Sequence, residues 1–459
     1  MRNRLTLCLV FVAALVAPIY PCSSFATSVG DRLLLAKNFD WHFDGGYILK
    51  NPAGVSRRAL PLFGGEPATW TSTHGSVTFT QYGVGLPYGG INQRGLAIEM
   101  LWLDESVYPT TGSKTIGELE WIQYQLDTRA TVADVLSTLD QFSIHPVGGK
   151  IHYMVADATG DRALIEWVDG VARVARGQAA SLVSTNDTQK LSELAFERLR
   201  TGTLTGNSSR VRYARLRRDV EAFTSAPTVA DSFVALDRVA ERGSPYRTQW
   251  QVVYDIRARQ MHIKPFGAKA ATVIDAATLD YAPGSGTMYR DLFSKSFAAD
   301  AFAPLDARAN RALLGRNLPK VGINSQLDAI SAHQLGASTT AVAPLADRST
   351  LRVRVTLQVP GAFARIAVFA NQRELTAQTS QLAGSVLADT ATREFAFYNV
   401  ASGRYAVGAF QDLNQDGRYT AGEPISFYRP DPTKSADTFD NLAFTLSGRE
   451  RVVELTLVR

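Results

Sequence analysis

The chain has 459 residues and two cysteines, Cys8 and Cys22, and that scarcity limits what it can fold into. Cys8 lies inside an apolar N-terminal run, so the remainder of the chain keeps Cys22 alone. No intrachain disulfide can staple such a chain, and no metal site can draw on a cysteine pair. Its stability therefore has to come from a packed core. At 45% hydrophobic and 20% charged residues the composition supplies one, and the length suits two or three domains.

The N-terminal run carries its own message. Arg2 and Arg4 precede an almost unbroken apolar stretch from Leu5 to Val16, with a break at Pro18. A basic start and a short apolar segment describe a secretory signal peptide, here residues 1–21. The stretch is shorter than the ~20 residues that span a bilayer, so it predicts export without a transmembrane segment, to the periplasm or the medium. Ile19-Tyr20-Pro21 lacks the small residues expected just before a cut, which leaves room for upstream cleavage and later trimming. Tyr20 and Pro21 also suit lipid attachment at Cys22 poorly. Removing Arg2 and Arg4 from the 48 basic residues leaves 46 against 43 acidic ones, about +3. That mild balance, without basic clusters interleaved with aromatics, excludes a nucleic-acid binder.

Loss of the leader would make Cys22 the first residue. A lone cysteine is usually a small buried hydrophobe. A terminus is a poor place to bury one, and there a single residue carries both a thiol and a free α-amine. The amine, with a reference pKa near ~8, can take the thiol proton without a separate histidine. The reactive reading is therefore the stronger one.

Beyond Cys22 the pattern alternates strands with helices. Asp31–Lys50 reads as strand, turn at Gly45-Gly46, and strand, and Trp70–Tyr82 reads as one strand. Leu96–Leu103 follows a turn at 89–95. Glu118–Leu126 and Thr131–Phe142 have helical spacing, with Thr131 as an N-cap. Strands resume at Ile151–Asp157, Ala163–Val168 and Val171–Ala175. Ser192–Arg200 and Arg210–Phe223 read as helices, and Thr248–Asp255 with Gln260–Lys264 as a hairpin. This predicts a layered α+β domain over 22–285. Residues 286–348 read as a helical connector and linker, and 349–459, all strand and turn, as a β-sandwich.

Five segments, taken in order, carry a resemblance to a known family. They are Cys22-Ser-Ser-Phe, Lys37-Asn-Phe-Asp40-Trp, Gly90-Ile-Asn92-Gln-Arg-Gly95-Leu-Ala-Ile-Glu-Met-Leu-Trp102-Leu, Leu182-Val-Ser-Thr-Asn186 and Ser208-Ser-Arg210-Val-Arg-Tyr. In sequence and spacing they resemble the choloylglycine hydrolase family of linear-amide hydrolases, which includes bile salt hydrolases and penicillin V acylases. The stretches from Trp70 and from Leu101 resemble its Gram-negative and environmental members. The resemblance spans about Cys22 to Lys264 and implies a four-layer αββα N-terminal-nucleophile fold. It makes Cys22 the nucleophile and Asp40 the residue that holds its α-amine. It casts Asn92, through its backbone N–H, and Asn186, through its side-chain amide, as the oxyanion hole and Arg210 as the cation beside the thiol. Read without it, Asp40 ends a strand, Asn92 is a turn residue, Asn186 a loop residue and Arg210 a surface arginine. Lys37 stands where the family usually has arginine, which bears on substrate binding because lysine lacks the planar fork. Trp41 and Tyr82 are expected at the substrate, although aromatics at such spacing are more often core.

The C-terminal region has a separate signal. Asp412, Asn414, Asp416, Arg418, Thr420 and Glu423, with Gly417 at the sixth place, match the ligand spacing of a calcium loop. Flanking helices are absent, and a solvated acidic turn fits the same residues. The lone histidines form no metal pair. The expectation is an exported hydrolase of a linear, non-peptide amide that passes through an acyl-thioester on Cys22. It needs no cofactor for catalysis, leaves room for a structural calcium, and acts on a small-molecule partner, with a homo-oligomer left open. Candidate substrates are N-acyl amides, acyl-homoserine lactones, penicillin V and conjugated bile acids, with bile acids ranked below N-acyl amides. The rival is a non-catalytic envelope binding protein, lipid-anchored at Cys22, that keeps the fold.

Overall fold

The computed structural model describes residues 21–459 except 63, 147–148, 178–180, 224–226, 244–245, 337–341, 346, 360–362, 378–379, 381, 388–390, 415–418, 437 and 459. All of the expected leader except Pro21 therefore lies outside the described residues. The chain forms two compact units, one of Tyr20–Leu103 with Tyr108–Pro344 and one containing Leu345–Arg459.

The N-terminal unit is built on two antiparallel sheets. The first has six strands in the order Ser181–Ser184, Ser23–Val29, Arg32–Asp40, Thr248–Asp255, Gln260–Pro265 and Thr272–Asp275. The second has nine, with Ala97–Trp102 near its middle, between Ile151–Ala156 and Gly89–Asn92. Strand alternation assigns each side chain to a layer. On Arg32–Asp40, Leu34 and Ala36 face a helical layer, where they join Phe25, Phe196, Tyr213, Leu216, Val220 and Leu236. Phe39, on the opposite face, stacks on Trp250 with ring centroids 3.9 Å apart and meets Tyr88 of the second sheet at 4.6 Å. Helix Glu118–Thr128 covers the other side of the second sheet, where Trp121 packs on Tyr153 and Trp167. The order helix, sheet, sheet, helix is the four-layer arrangement expected above.

Several local expectations changed. The single strand read over Trp70–Tyr82 is two, Thr69–Thr71 and Ser76–Thr80, broken at Gly75, where a Cβ would come within 2.2 Å of the Tyr281 ring. Thr131 does cap a helix, accepting from the Asp134 amide, but that helix ends at Leu136. The Ser137 and Thr138 hydroxyls bond back to the Asp134 and Val135 carbonyls and offer them an alternative to helical partners.

The larger change concerns 286–348. Met288–Asp291 pairs with Tyr47–Asn51 and extends the nine-stranded sheet. Helix Ala307–Asn317 then buries Leu313 against Tyr47, Leu49 and Val84, and its Asn317 amide donates to the carbonyls of Gln81 and Gly45. What reads in sequence as a connector is part of the N-terminal unit. Its helical pattern says that one face is buried and does not say against what.

The C-terminal unit is a β-sandwich, as expected. Arg348–Thr356 lies between Thr392–Ala401 (antiparallel) and Glu450–Thr456 (parallel). Leu351, Val353 and Val355 point to a core shared with Ile366, Val368 and Val407. The intervening Arg352 and Arg354 bond Glu394 and Glu450 on the other face.

If the 286–348 segment is integral, Leu313→Ala should cost the N-terminal unit about 2–5 kcal/mol, the range for emptying a fully buried leucine site. Urea unfolding followed by tryptophan fluorescence checks this. A loss below about 0.5 kcal/mol would mean that the helix is an appendage.

Candidate active site

The site lies at one end of the six-stranded sheet, and strand register assembles it. Ser23 pairs with Asn38 on one side and Ser24 with Ser184 on the other. Continuing both ladders by one or two residues sets Cys22 between the Phe39-Asp40 end of one neighbour and the Thr185-Asn186 end of the other. A β-bulge between Thr248 and Trp250 sets Thr248 opposite Asp40.

Cys22 is fully buried, and its Sγ donates to the Asp40 carbonyl at 3.7 Å. Burial pushes its thiol up to about 11, and Asp40 adds to this, while Lys37 and Arg212 work against it. Asp40 is buried as well. Neither of its carboxylate oxygens makes a hydrogen bond within normal geometry among the described residues. The carboxyl is raised to about 8, again by burial first. The nearby Thr248 hydroxyl, Arg212 and Lys37 favour the charged form without outweighing that cost, and Glu241 opposes it. A carboxyl buried this deeply is expensive to keep charged, and the neighbours present offset that cost only in part.

Arg212 ties the other parts together. It projects from helix Ser209–Glu221 and is completely buried. Its Nη1 donates to the Pro21 carbonyl (2.5 Å), the Cys22 carbonyl (2.6 Å) and Ser23 Oγ (2.7 Å), and its Nη2 to Asn186 Oδ1 (2.7 Å). With its oxygen held in this way, the Asn186 amide directs Nδ2 to the Trp102 carbonyl at 2.9 Å.

Two expected residues lie elsewhere. Arg210, on the same helix, is 31% exposed and pairs with Asp187 at 3.4 Å. The arginine at the nucleophile is Arg212, and helix phase explains why: Val220 and Leu216 are buried, and the same face continued back one turn is Arg212. Asn92 is consumed in a turn: the backbone N–H expected at the oxyanion donates to the Leu96 carbonyl at 2.9 Å. Its Nδ2 donates to the Leu126 and Arg129 carbonyls, and its Oδ1 accepts from the Arg94 and Leu96 amides. It faces Leu96, six residues before Trp102 on the adjacent strand, a span of roughly 20 Å. The turn reading of Asn92 is thus the one its contacts fit.

Lys37 was expected at the substrate, but its ammonium is engaged in the interior. It bonds Glu99 at 2.8 Å and sits 5.2 Å above the Phe39 ring. Trp41 and Tyr82 line a narrow cavity of about 40 Å³, along with Tyr88, Met100, Trp102 and Val321. Tyr88 also interacts electrostatically with Cys22, which places the cavity beside the thiol. Arg212, Thr248, Tyr88, Trp102 and Val321 were not among the residues expected at the site.

The C-terminal loop expected to hold calcium is described only in part, and the ligand candidates that are described make contacts within the protein. The Asp412 carboxylate pairs with Arg365 at 2.9 Å, and Glu423 accepts from the Leu413 and Thr420 amides, both at 2.7 Å. Asn414 Nδ2 bonds Thr420 Oγ1. Asp416 and Arg418 lie outside the described residues, among which no group of three or more acidic, histidine or cysteine side chains could hold a metal.

Among the described residues no helix is long and apolar enough to cross a membrane. Residues 28–263 match the model of a family described as acyl-coenzyme A:6-aminopenicillanic acid acyl-transferase. A penicillin V acylase of Pectobacterium atrosepticum is 30% identical over 164 residues, 30% of this chain, and the match spans only 42% of that relative's length. Among solved structures, penicillin V acylase from Agrobacterium tumefaciens superposes with a TM-score of 0.56 at 24% identity, covering 62% of this chain and 98% of its own. A mutant of conjugated bile acid hydrolase from Clostridium perfringens gives 0.51 at 13% identity, covering 61% and 99%. At these identities the two structures establish the fold.

The raised Asp40 carboxyl has a consequence for stability. In the leader-bearing chain the folded state holds a proton up to about pH 8 that the unfolded state releases near 3.8. Stability should therefore fall as pH rises through that window, by up to several kcal/mol. Asp40→Asn should flatten this dependence. Thermal melts of both leader-bearing proteins at pH 5 and pH 8 check it, and parallel slopes would contradict it.

Proposed function

Because this chain belongs to the acyl-coenzyme A:6-aminopenicillanic acid acyl-transferase family, we propose that it is an exported cysteine hydrolase of the N-terminal-nucleophile type that cleaves the C–N bond of a linear amide. The observation that carries the reading is the buried pair of Cys22 and Asp40, whose carboxyl is raised by burial even with the Thr248 hydroxyl, Arg212 and Lys37 close by. Cleavage between Pro21 and Cys22 would create an α-ammonium group one residue from where that carboxylate waits. The charge that burial penalises would then have its counter-ion.

In the mature protein the α-amine takes the Cys22 thiol proton as sulfur attacks the amide carbonyl. Negative charge gathers on the carbonyl oxygen, where Asn186 Nδ2, oriented by Arg212, is the donor nearest the nucleophile's strand end. The α-ammonium returns its proton to the departing amine, leaving an acyl-thioester on Cys22. Water, deprotonated by the same amine, attacks the thioester, and collapse releases the carboxylic acid and restores the thiol. Each step moves one proton between the α-amine and a reacting atom, so no cofactor is required.

The substrate is an N-acyl compound with an apolar acyl group. The aromatic walls around Trp41, Tyr82 and Trp102 support this class. N-acyl amides, acyl-homoserine lactones, penicillin V and conjugated bile acids are the candidates within it. Export rests on the leader and places the reaction in the periplasm or outside the cell.

The test is intact mass of the secreted protein together with amine release from a panel of acyl amides. The chain should begin at Cys22. Cys22→Ala should abolish turnover with the fold retained, and Asn186→Ala should lower kcat about 10²–10³-fold. An N-terminus upstream of Cys22 in a protein that still turns over would sink the reading, as would activity that survives in Cys22→Ala.

A further inference from the structure

A buried charged assembly lies behind the nucleophile, and the mechanism above does not use it. Lys37 sits opposite Ser24 on the strand beside the nucleophile's own. Its side chain is 1% exposed, and its ammonium bonds Glu99, 2% exposed, at 2.8 Å. Glu99 belongs to the other sheet, on Ala97–Trp102, so the pair bridges the two sheets. Two features hold the carboxylate in place. Tyr254, fully buried on Thr248–Asp255, donates its hydroxyl to Glu99 Oε1. Gly89, directly across the ladder from Glu99, is bare where the carboxylate lies: a Cβ there would come within 2.4 Å of Glu99 Cδ.

We infer that Glu99 is a positioning residue for Cys22, acting through Lys37: held by Tyr254 and by the open face of Gly89, it fixes a charged ammonium beside the thiol. This rests on the reading of Cys22 as the nucleophile. The groups that face Cys22 are Lys37, Asp40, Arg212 and Tyr88, and Lys37 is the strongest of those that favour the thiolate. The groups that face Glu99 are Lys37 and Tyr254. An ammonium this deeply buried is sustained by its counter-charge. Without Glu99 the buried ammonium loses the carboxylate that pairs with it and fixes its place, and the thiol loses a fixed neighbouring cation.

Cys22 is the single cysteine that follows the leader, so alkylation of the mature protein reads one site. The experiment is the rate of reaction with iodoacetamide from pH 5 to pH 11, with far-ultraviolet circular dichroism to show that each variant is folded. Glu99→Gln should move the midpoint up by about one unit or more, roughly a tenfold loss of thiolate at fixed pH. Lys37→Met should do the same, and the double variant should go no further than Lys37→Met alone. Tyr254→Phe removes one oxygen and should move the midpoint the same way by less, and it carries the test if Glu99→Gln does not fold. A midpoint that stays or falls in the folded variants would overturn the inference, as would additive shifts in the double variant. Alkylation needs no substrate. If no amide is hydrolysed while the midpoints move as described, the hydrolase reading fails and the role of Glu99 stands.

Discussion

The site depends on one buried guanidinium. Arg212 is fully desolvated, which disfavours its charge, and it remains cationic beside Asp40 and a ring of oxygen acceptors. Removing such a group would leave the carbonyls of Pro21 and Cys22 without the donor they share and would leave Asn186 free to rotate. It joins three separate chain segments, one carrying Cys22, one Asn186 and one the helix that covers the sheet. Rigid placement of this kind suits charge stabilisation, where a donor gains most when it needs no rearrangement. A lysine could supply the charge, but it has no fork with which to hold the backbone and the amide oxygen in fixed relation.

In the leader-bearing chain the electrostatics run against reactivity. The thiol and the carboxyl are both raised, and the nitrogen of Cys22 is a peptide amide whose lone pair is delocalised into the carbonyl and does not act as a base. Breaking one peptide bond changes each of these conditions. The Pro21 carbonyl that Arg212 holds belongs to that same bond, so under the proposed processing one arginine would serve both the precursor and the mature site.

The sequence made much of this legible, but unevenly. Strands and their alternation were readable because one face of each meets a core. The layered unit, the sandwich and the pairing of Cys22 with Asp40 followed from that pattern and from the family resemblance. Arg212 was legible in principle: the buried stripe through Val220 and Leu216 points to it, whereas a match by motif alone fell on Arg210 two residues earlier. Asn92 misled because a turn asparagine and an oxyanion asparagine look alike until their partners are known. The buried pair of Lys37 and Glu99 was hidden for another reason, since residues 62 apart meet only when two sheets face each other. The role of 286–348 was hidden in the same way, because the partner of its strand lies more than two hundred residues earlier.

The irregularity between Thr248 and Trp250 follows a similar logic. An unbroken ladder would bring one residue of that strand to the end of Arg32–Asp40. The extra residue brings two: Thr248 beside the carboxylate, and Gln249, whose amide holds the Trp41 carbonyl at 2.7 Å. Deleting a single residue here would make the sheet more regular and force a choice between supporting the acid and anchoring a wall of the cavity. At this point evenness of hydrogen bonding and completeness of the site compete for the same length of chain, and the fold keeps the longer strand.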